Sequence, residues 1–326
     1  MTQSDAPERL NLRKIRVAGV QAEPAFLDLD KSTAKAIDLI ERAGAEGADL
    51  IGFPETFIPS YPNWYETLGE SPKSRNFDRE LFKNSVEIPG EHISAVASAC
   101  ARARVNAVVG VNERRNGATG TMWNTNVHIN REGVIVSKHQ KYVPTTGERQ
   151  VHAPGNTGYL NSFKTDFGTV SALICGENSN PLGLYAAALS YPVVHVSSWP
   201  AYFYPYFPMH HAIQTASAGL AYSLKTFVVA SVARIPENYI DAVAETDEQR
   251  EFLIQERALK KGALVIDPTG KVVADGSGSD DELLIVDIDL EDVVIPKMVA
   301  DFAGHYNRPE LFAPLFERRG HDAPEQ

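Results

Sequence analysis

A chain of 326 residues that is 43% hydrophobic and 22% charged has the composition of a globular protein with ample core. Its formal net charge of −11 argues against nucleic acid or an anionic membrane surface as partner, because both need clustered cations. With only two cysteines, Cys100 and Cys175, no disulfide framework is suggested. The polar stretch Met1 to Lys14 lacks the apolar segment of a signal peptide, no run reaches membrane-spanning length, and the chain reads as soluble and cytoplasmic.

In chain order, strand and helix signals alternate. Ile15 to Gln21 alternates as a first strand, and Asp28 or Asp30 caps a helix from Lys31 to Ala45 with Thr33, Ile37, Ile40 and Gly44 along one face. Leu50 to Phe53 is a continuously apolar second strand that ends at Pro54-Glu55. His92 to Arg104 is helical in pattern and puts Cys100 in the core; Ala107 to Val111 is a third strand. Val127 to Asn130 and Val134 to Ser137 flank a hairpin turn at Arg131-Glu132-Gly133.

The second half repeats the alternation. Thr169 to Ile174 is a strand that ends on Cys175, and a helical segment follows from Leu184 to Leu189, opened by Pro181. Val193 to Ser197 and Thr226 to Val232 are strands on either side of a helix from Met209 to Leu224. Asp241 to Lys261 reads as a charge-rich surface excursion. Ala263 to Ile266 and Lys271 to Ala274 flank a type I turn at Asp267-Pro268-Thr269-Gly270, and Leu283 to Ile288 is the last strand. With no linker and no repeat, this pattern predicts one layered α/β domain over residues 1–326 with mixed sheets.

Four local groups carry candidate chemistry. Cys175 sits between a strand end and a helix start, where a sulfur faces a cleft and uncommitted N–H groups hold negative charge; its bland alternative is a small buried hydrophobe. Glu55 follows a strand that proline must terminate, and its alternative is a solvated loop residue. Lys138 and Lys141 close a hairpin strand, an arrangement that equally guards a sheet edge, and Glu148-Arg149 alone is a surface ion pair.

Taken jointly, Phe53-Pro54-Glu55, Lys138-His139-Gln140-Lys141-Tyr142-Val143-Pro144-Thr145 with Glu148-Arg149, and Cys175-Gly176-Glu177-Asn178 resemble the carbon–nitrogen hydrolase superfamily. Pro59-Ser60-Tyr61-Pro62 and Gly304-His305-Tyr306-Asn307-Arg308-Pro309 resemble its nitrilase branch, and the similarity covers about residues 14–312. The resemblance implies a four-layer α-β-β-α sandwich, a homodimer or higher homo-oligomer, and no metal or organic cofactor. It implies Cys175 as nucleophile, Glu55 as general base, Lys141 as the cation favouring thiolate, and Glu148 as its positioning partner. The partners are then a small-molecule nitrile and water, and the product is a carboxylic acid with ammonia, formed through a thioimidate and a thioester. An amidase, or release of amide from the same intermediate, is the alternative outcome; a non-catalytic scaffold relative is the remaining one.

Two positions depart from the nitrilase pattern. Gly176 and His152 stand where that branch usually carries tryptophan, which enlarges or reshapes the pocket. His152 as a base for Cys175 ranks below Glu55. Tyr61, Trp64, Gly176, His152, Trp199 and Tyr202 are the candidate substrate contacts, and the aromatic run from Trp199 to Phe207 points to an aromatic or arylaliphatic substrate. Core packing is the competing reading of that run. The Gly304-to-Pro309 segment either crosses to a partner subunit or closes a local loop, and the short, charged tail from Ala313 to Gln326 does not suggest filaments.

Overall fold

Continuously apolar strands such as Leu50–Gly52 must be covered on both faces, and the computed structural model shows what covers them. It describes residues 12–318, apart from residues 118 and 206. Most of the Met1-to-Lys14 stretch, Tyr206 of the aromatic run and the last eight residues of the tail, 319–326, lie outside the described residues.

The first half runs β1 (Lys14–Val20), α1 (Leu29–Ala45), β2 (Leu50–Gly52), α2 (Trp64–Leu68), α3 (Pro72–Lys83), α4 (Glu91–Ala103), β3 (Asn106–Arg114), β4 (Met122–Ile129) and β5 (Ile135–Gln140). The second half runs β6 (Ser162–Thr165), β7 (Gly168–Ile174), α5 (Pro181–Ala188), β8 (Val194–Trp199), α6 (Met209–Leu224) and β9 (Phe227–Val232). It continues with α7 (Glu237–Val243), α8 (Asp247–Ala258), β10 (Leu264–Ile266), β11 (Val272–Asp275), β12 (Leu283–Asp289), α9 (Val294–Val299) and α10 (Ala313–Arg318).

Two six-stranded mixed sheets result, ordered β12-β1-β2-β3-β4-β5 and β11-β10-β9-β8-β7-β6. In each, three consecutive strands are parallel (β1 to β3, β7 to β9) and antiparallel strands extend both edges. The two sheets therefore share one plan. Val17 and Val108 from the first pack against Val194, Val196 and Val229 from the second. Leu39, Ile40, Ile93 and Val96 of α1 and α4 cover the outer face of the first sheet, and Ala187, Ile213 and Leu220 of α5 and α6 cover the second. This is the α-β-β-α layering expected, and each such fully buried aliphatic side chain contributes about 1.5–3 kcal/mol. At Gly52 the sheets close tightly: a Cβ there would lie 2.7 Å from Val196 Cγ1.

Several local expectations hold. Asp28 caps α1 by accepting from Lys31 N at 2.9 Å, Cys100 is fully buried in the helix-covered core, and Gly270 N donates to Asp267 O at 2.9 Å to close the predicted turn. The stretch Asp241 to Lys261 is not an excursion. It folds as the end of α7 and all of α8, capped by Thr246 with Gln249, and it buries Val243 and Leu253. Its charges outnumber its apolar residues, so the buried stripe is narrow and its periodic signal faint. Among the described residues, no helix is long and apolar enough to cross a membrane.

Candidate active site

Each candidate side chain is set by a strand end. Phe53 N makes the last sheet hydrogen bond of its strand, to Val108 O at 2.9 Å; Pro54 has no N–H to continue it. The turn carrying Glu55 then lies directly over β3, where a Cβ at Gly110 would come 2.1 Å from Pro54 O. Lys141 is the first residue beyond β5, and its N–H donates to Asn124 O of β4 at 2.8 Å. Glu148 lies in a 3₁₀ turn, Thr146–Gln150, that it caps itself by accepting from Thr145 N at 2.9 Å. Cys175 opens another 3₁₀ turn, Cys175–Ser179, at the carboxyl end of parallel β7, the edge where open α/β sheets place their sites.

The four residues converge. Lys141 Nζ donates to Glu55 Oε1 at 2.7 Å and to Glu148 Oε2 at 2.6 Å. Asn124 Nδ2 bridges the same carboxylates, donating to Glu55 Oε1 and Glu148 Oε1, each at 2.7 Å. Tyr61 donates its hydroxyl to Glu148 Oε2 at 3.3 Å, and its ring lies 5.8 Å from Lys141 Nζ. Glu55 and Lys141 are only 1% and 2% exposed, and Glu148 is fully buried. Cys175, 7% exposed, lies within electrostatic reach of all three. Glu55 Oε2 is buried with no hydrogen-bond partner. Asn124 Oδ1 is left without one as well, and among the described residues Glu55 Oε2 is the one free carboxylate oxygen of Glu55 and Glu148.

Donor supply separates the two carboxylates. Burial and the neighbouring Glu148 charge push the Glu55 carboxyl up to about 7 against the pull of Lys141. Burial acts on Glu148 too, but Lys141 and the hydrogen bond from His152 outweigh it and hold Glu148 below the usual carboxylate range. Lys141 is desolvated, yet the two carboxylates hold it well above an ordinary lysine. Burial and then Glu55 push the Cys175 thiol well above its ordinary value, and Lys141 only partly offsets this. Lys141 thus acts on the thiol in the direction expected of it, towards thiolate, but the two carboxylates that surround it and the burial of the sulfur outweigh that pull.

Backbone strain gathers at the same place. Thr56 (φ 43°), Ser60 (φ 142°), Thr146 (φ 43°) and Cys175 (φ 50°) all hold positive φ without being glycine. Each such residue costs on the order of 1–3 kcal/mol and persists only where its surroundings over-determine it. Here those surroundings are the sheets on either side. Glu177 supplies part of the constraint: Oε2 accepts from Ile174 N at 2.9 Å and meets His139 Nε2 at 2.9 Å, and Oε1 accepts from Tyr142 N at 2.6 Å. It ties the lysine's loop to the nucleophile's turn. Asn178 Nδ2 donates to Cys175 O at 2.9 Å and braces that turn from within.

The candidate substrate contacts divide. Tyr61 touches the cluster, and Trp199 packs in the apolar group that includes Cys175. Gly176 is exposed beside the sulfur, with open space around the position a Cβ would take. Trp64 and Tyr202 are core instead. Trp64 packs on Phe26 and Phe77 and donates Nε1 to Asp78 Oδ1 at 3.2 Å, whereas the Tyr202 hydroxyl pairs with Tyr239 at 2.7 Å. Both rings carry a polar tip that found a side-chain partner, so neither had to face solvent. His152 is also no free contact: Nδ1 meets Glu148 Oε1 at 3.1 Å and Nε2 meets Asn112 Oδ1 at 2.8 Å. Sequence reasoning missed Asn112 and Asn124; both are buried polar residues in strands that are buried along nearly their whole length, and the mixture of polar and apolar residues in β4 left no signal to single them out.

A cavity of about 720 Å³ lies elsewhere, lined by charged side chains that include Lys35, Arg234, Arg250 and Arg257. It contains none of the four converging residues, and volume without convergent chemistry does not make it the site.

The carbon-nitrogen hydrolase family matches residues 16–294. A nitrilase of Bacillus sp. (strain OxB-1) is 34% identical over 311 residues, covering 94% of this chain and 89% of the relative. An aliphatic nitrilase of Rhodococcus rhodochrous is 31% identical over 316 residues, 95% of this chain and 84% of the relative. The crystal structure of a carbon-nitrogen hydrolase from Helicobacter pylori G27 superposes with a TM-score of 0.71 at 18% identity, covering 94% of this chain and 99% of that one, and so shares the fold. The chain belongs to the carbon–nitrogen hydrolase superfamily, in its nitrilase branch, and is a hydrolase of carbon–nitrogen bonds.

Proposed function

We propose that the protein is a nitrilase converting an organic nitrile to carboxylic acid and ammonia, with Cys175, Glu55, Lys141 and Glu148 as its catalytic residues. The observation that carries this reading is the free carboxylate oxygen of the cluster: among the described residues Glu55 Oε2 is buried and unpartnered while its twin oxygen is held by Lys141 and Asn124. A carboxyl near 7 is matched to exchanging a proton at neutral pH. The thiol proton passes to Glu55 as sulfur attacks the nitrile carbon. Lys141 stabilises the developing nitrogen anion, which takes the proton back to give the thioimidate. Water, deprotonated by Glu55, adds to that carbon; protonated nitrogen leaves as ammonia, and the resulting thioester is hydrolysed by a second water. Glu148 stays ionised throughout and fixes the ammonium of Lys141.

The reading extends to an aromatic or arylaliphatic substrate. Gly176 leaves room beside the sulfur, and Phe203 and Phe207, half-buried with their rings 5.6 Å apart, pack against the apolar group that holds Cys175. Relatives named aliphatic nitrilases make short alkyl nitriles the necessary comparison. The reading also includes a homo-oligomer in the cytoplasm. Ile295, Met298, Val299, Leu311, Phe312 and Phe316 stand exposed along the C-terminal arm as an apolar surface that a second copy would cover.

The test is a panel of aromatic, arylaliphatic and alkyl nitriles with their matching amides, with ammonia, acid and amide quantified. Acid and ammonia from arylaliphatic nitriles, lost in Cys175→Ala, is the expected result. Ammonia from amides alone would replace the reading with an amidase, and amide as the main product with a nitrile-hydrating enzyme.

A further inference from the structure

His152 meets an acceptor at each ring nitrogen. On one side lies Asn112, whose Nδ2 is committed to two carbonyls, Ser60 O at 2.8 Å and Ile58 O at 3.4 Å. Its Oδ1 must therefore face His152 Nε2, at 2.8 Å, and the ring nitrogen donates there. On the other side lies Glu148 Oε1, 3.1 Å from Nδ1. Glu148 already accepts from Lys141 Nζ, Asn124 Nδ2, Thr145 N and the Tyr61 hydroxyl. A carboxylate with so many donors is a poor base, so a proton between it and an imidazole resides on the ring. The His152 side chain is fully buried, and both of its ring nitrogens are already in contact with these two side chains.

We propose that His152 is a positioning residue that stands as an imidazolium in the resting enzyme. It pins Glu148 as the permanently ionised carboxylate and leaves Glu55 to exchange the proton. This rests on the catalytic reading above and deepens it. The groups facing the pair are Glu55 after β2, Tyr61 beyond it, Lys141 after β5 and Cys175 after β7. With His152 and Lys141 both positive, ionising Glu55 brings the buried cluster to neutrality. With a neutral residue at 152 the same step leaves it one charge negative, and Glu148 begins to compete for the proton. The tryptophan usual at this position in the branch could supply neither the second donor nor the charge.

Two measurements decide it. The pH dependence of kcat/KM is compared for the unaltered enzyme and His152→Gln, which keeps a hydrogen-bonding side chain without the charge. The acid limb should move up by about one pH unit, the size expected for loss of one nearby charge in a partly screened interior. A role in packing alone would lower stability or kcat and leave the limb where it was. Separately, the nitrogen-15 shifts of the His152 ring are read at neutral pH in Cys175→Ala, where no turnover is needed. Both nitrogens should appear protonated. An unmoved limb in folded His152→Gln, or one unprotonated ring nitrogen, overturns the proposal. Should His152→Gln fail to fold, the ring shifts, assigned through bond couplings, decide alone. A protein that turns over neither nitriles nor amides would sink the catalytic reading, and the ring shifts would still decide the charge on His152.

Discussion

Lys138 and Lys141 leave neighbouring positions at the end of one strand, and each meets a buried glutamate. Lys138 pairs with Glu113 of β3, whose Oε2 also accepts from Thr125 Oγ1 and Gln140 Nε2, each at 2.9 Å. Both oxygens of Glu113 are thus occupied, and its lysine is 31% exposed. Lys141 is almost wholly buried and shared by two carboxylates, one of which keeps an oxygen with no partner. The first pair is a closed structural bond and the second is an open one. Burying charge is costly in both places, so the difference lies in what remains unsatisfied. An unpartnered buried carboxylate oxygen in a cluster that also holds a lysine and a thiol is a position to which a substrate or water can bring the missing proton.

Breaking the two glutamates in parallel gives the largest contrast. Glu55→Gln should lower kcat on the order of 10³-fold, because it removes the free base. Glu113→Gln should leave kcat within a few-fold and instead cost about 1–3 kcal/mol in denaturant unfolding. Equal losses of turnover in both variants would erase the distinction.

The histidines extend the contrast to stability. His128 and His195 are buried with their values pushed down to about 3, first by burial and then by His139. They stay neutral in the folded protein, while the unfolded chain takes up protons below the ordinary value of 6.5. Stability is therefore complete above that pH and declines as pH falls from 6.5 towards 3, by about 1.4 kcal/mol per unit for each ring. Urea midpoints measured across this window should show the decline, and His195→Asn should make it shallower.

Activity should fall in its own window. With Glu55 raised to about 7, kcat/KM should drop tenfold per unit below about pH 7, as the base form is titrated away. The fall should appear at pH values where circular dichroism still reports a folded protein. A limb near the ordinary carboxylate value of 4.5 would show that Glu55 is not the raised member of the pair.

The smallest effect should come from Gly176. Its surroundings are open, so Gly176→Trp should fold with an unchanged midpoint. It should lower kcat/KM for arylaliphatic nitriles roughly tenfold relative to acetonitrile, the range expected of a steric change in a pocket. An unchanged ratio would remove Gly176 from the determinants of scope.

Much of this was legible in the chain. Apolar periodicity located most of the strands and the main covering helices, because burial on two faces or one leaves that trace locally. The position of Glu55 after Pro54 and of Cys175 after Ile174 followed from where a ladder must stop. What the sequence could not rank was the aromatic residues. Tyr61, Trp64 and Tyr202 look alike as residue types, and only their partners sent the first to Glu148 and the other two into the core. The helical stretch of α8 was masked by its own charges, and Asn112 and Asn124 stand among other polar residues of β3 and β4 that local pattern does not tell apart from them.

By itself the sequence determined the layered α/β plan and the four chemical groups, since both are written in local pattern and residue type. The tertiary structure alone decided how protons are distributed among them. That distribution depends on how many donors reach each oxygen, and those donors come from β4, the loop after β2 and the segment after β5, far apart in the chain.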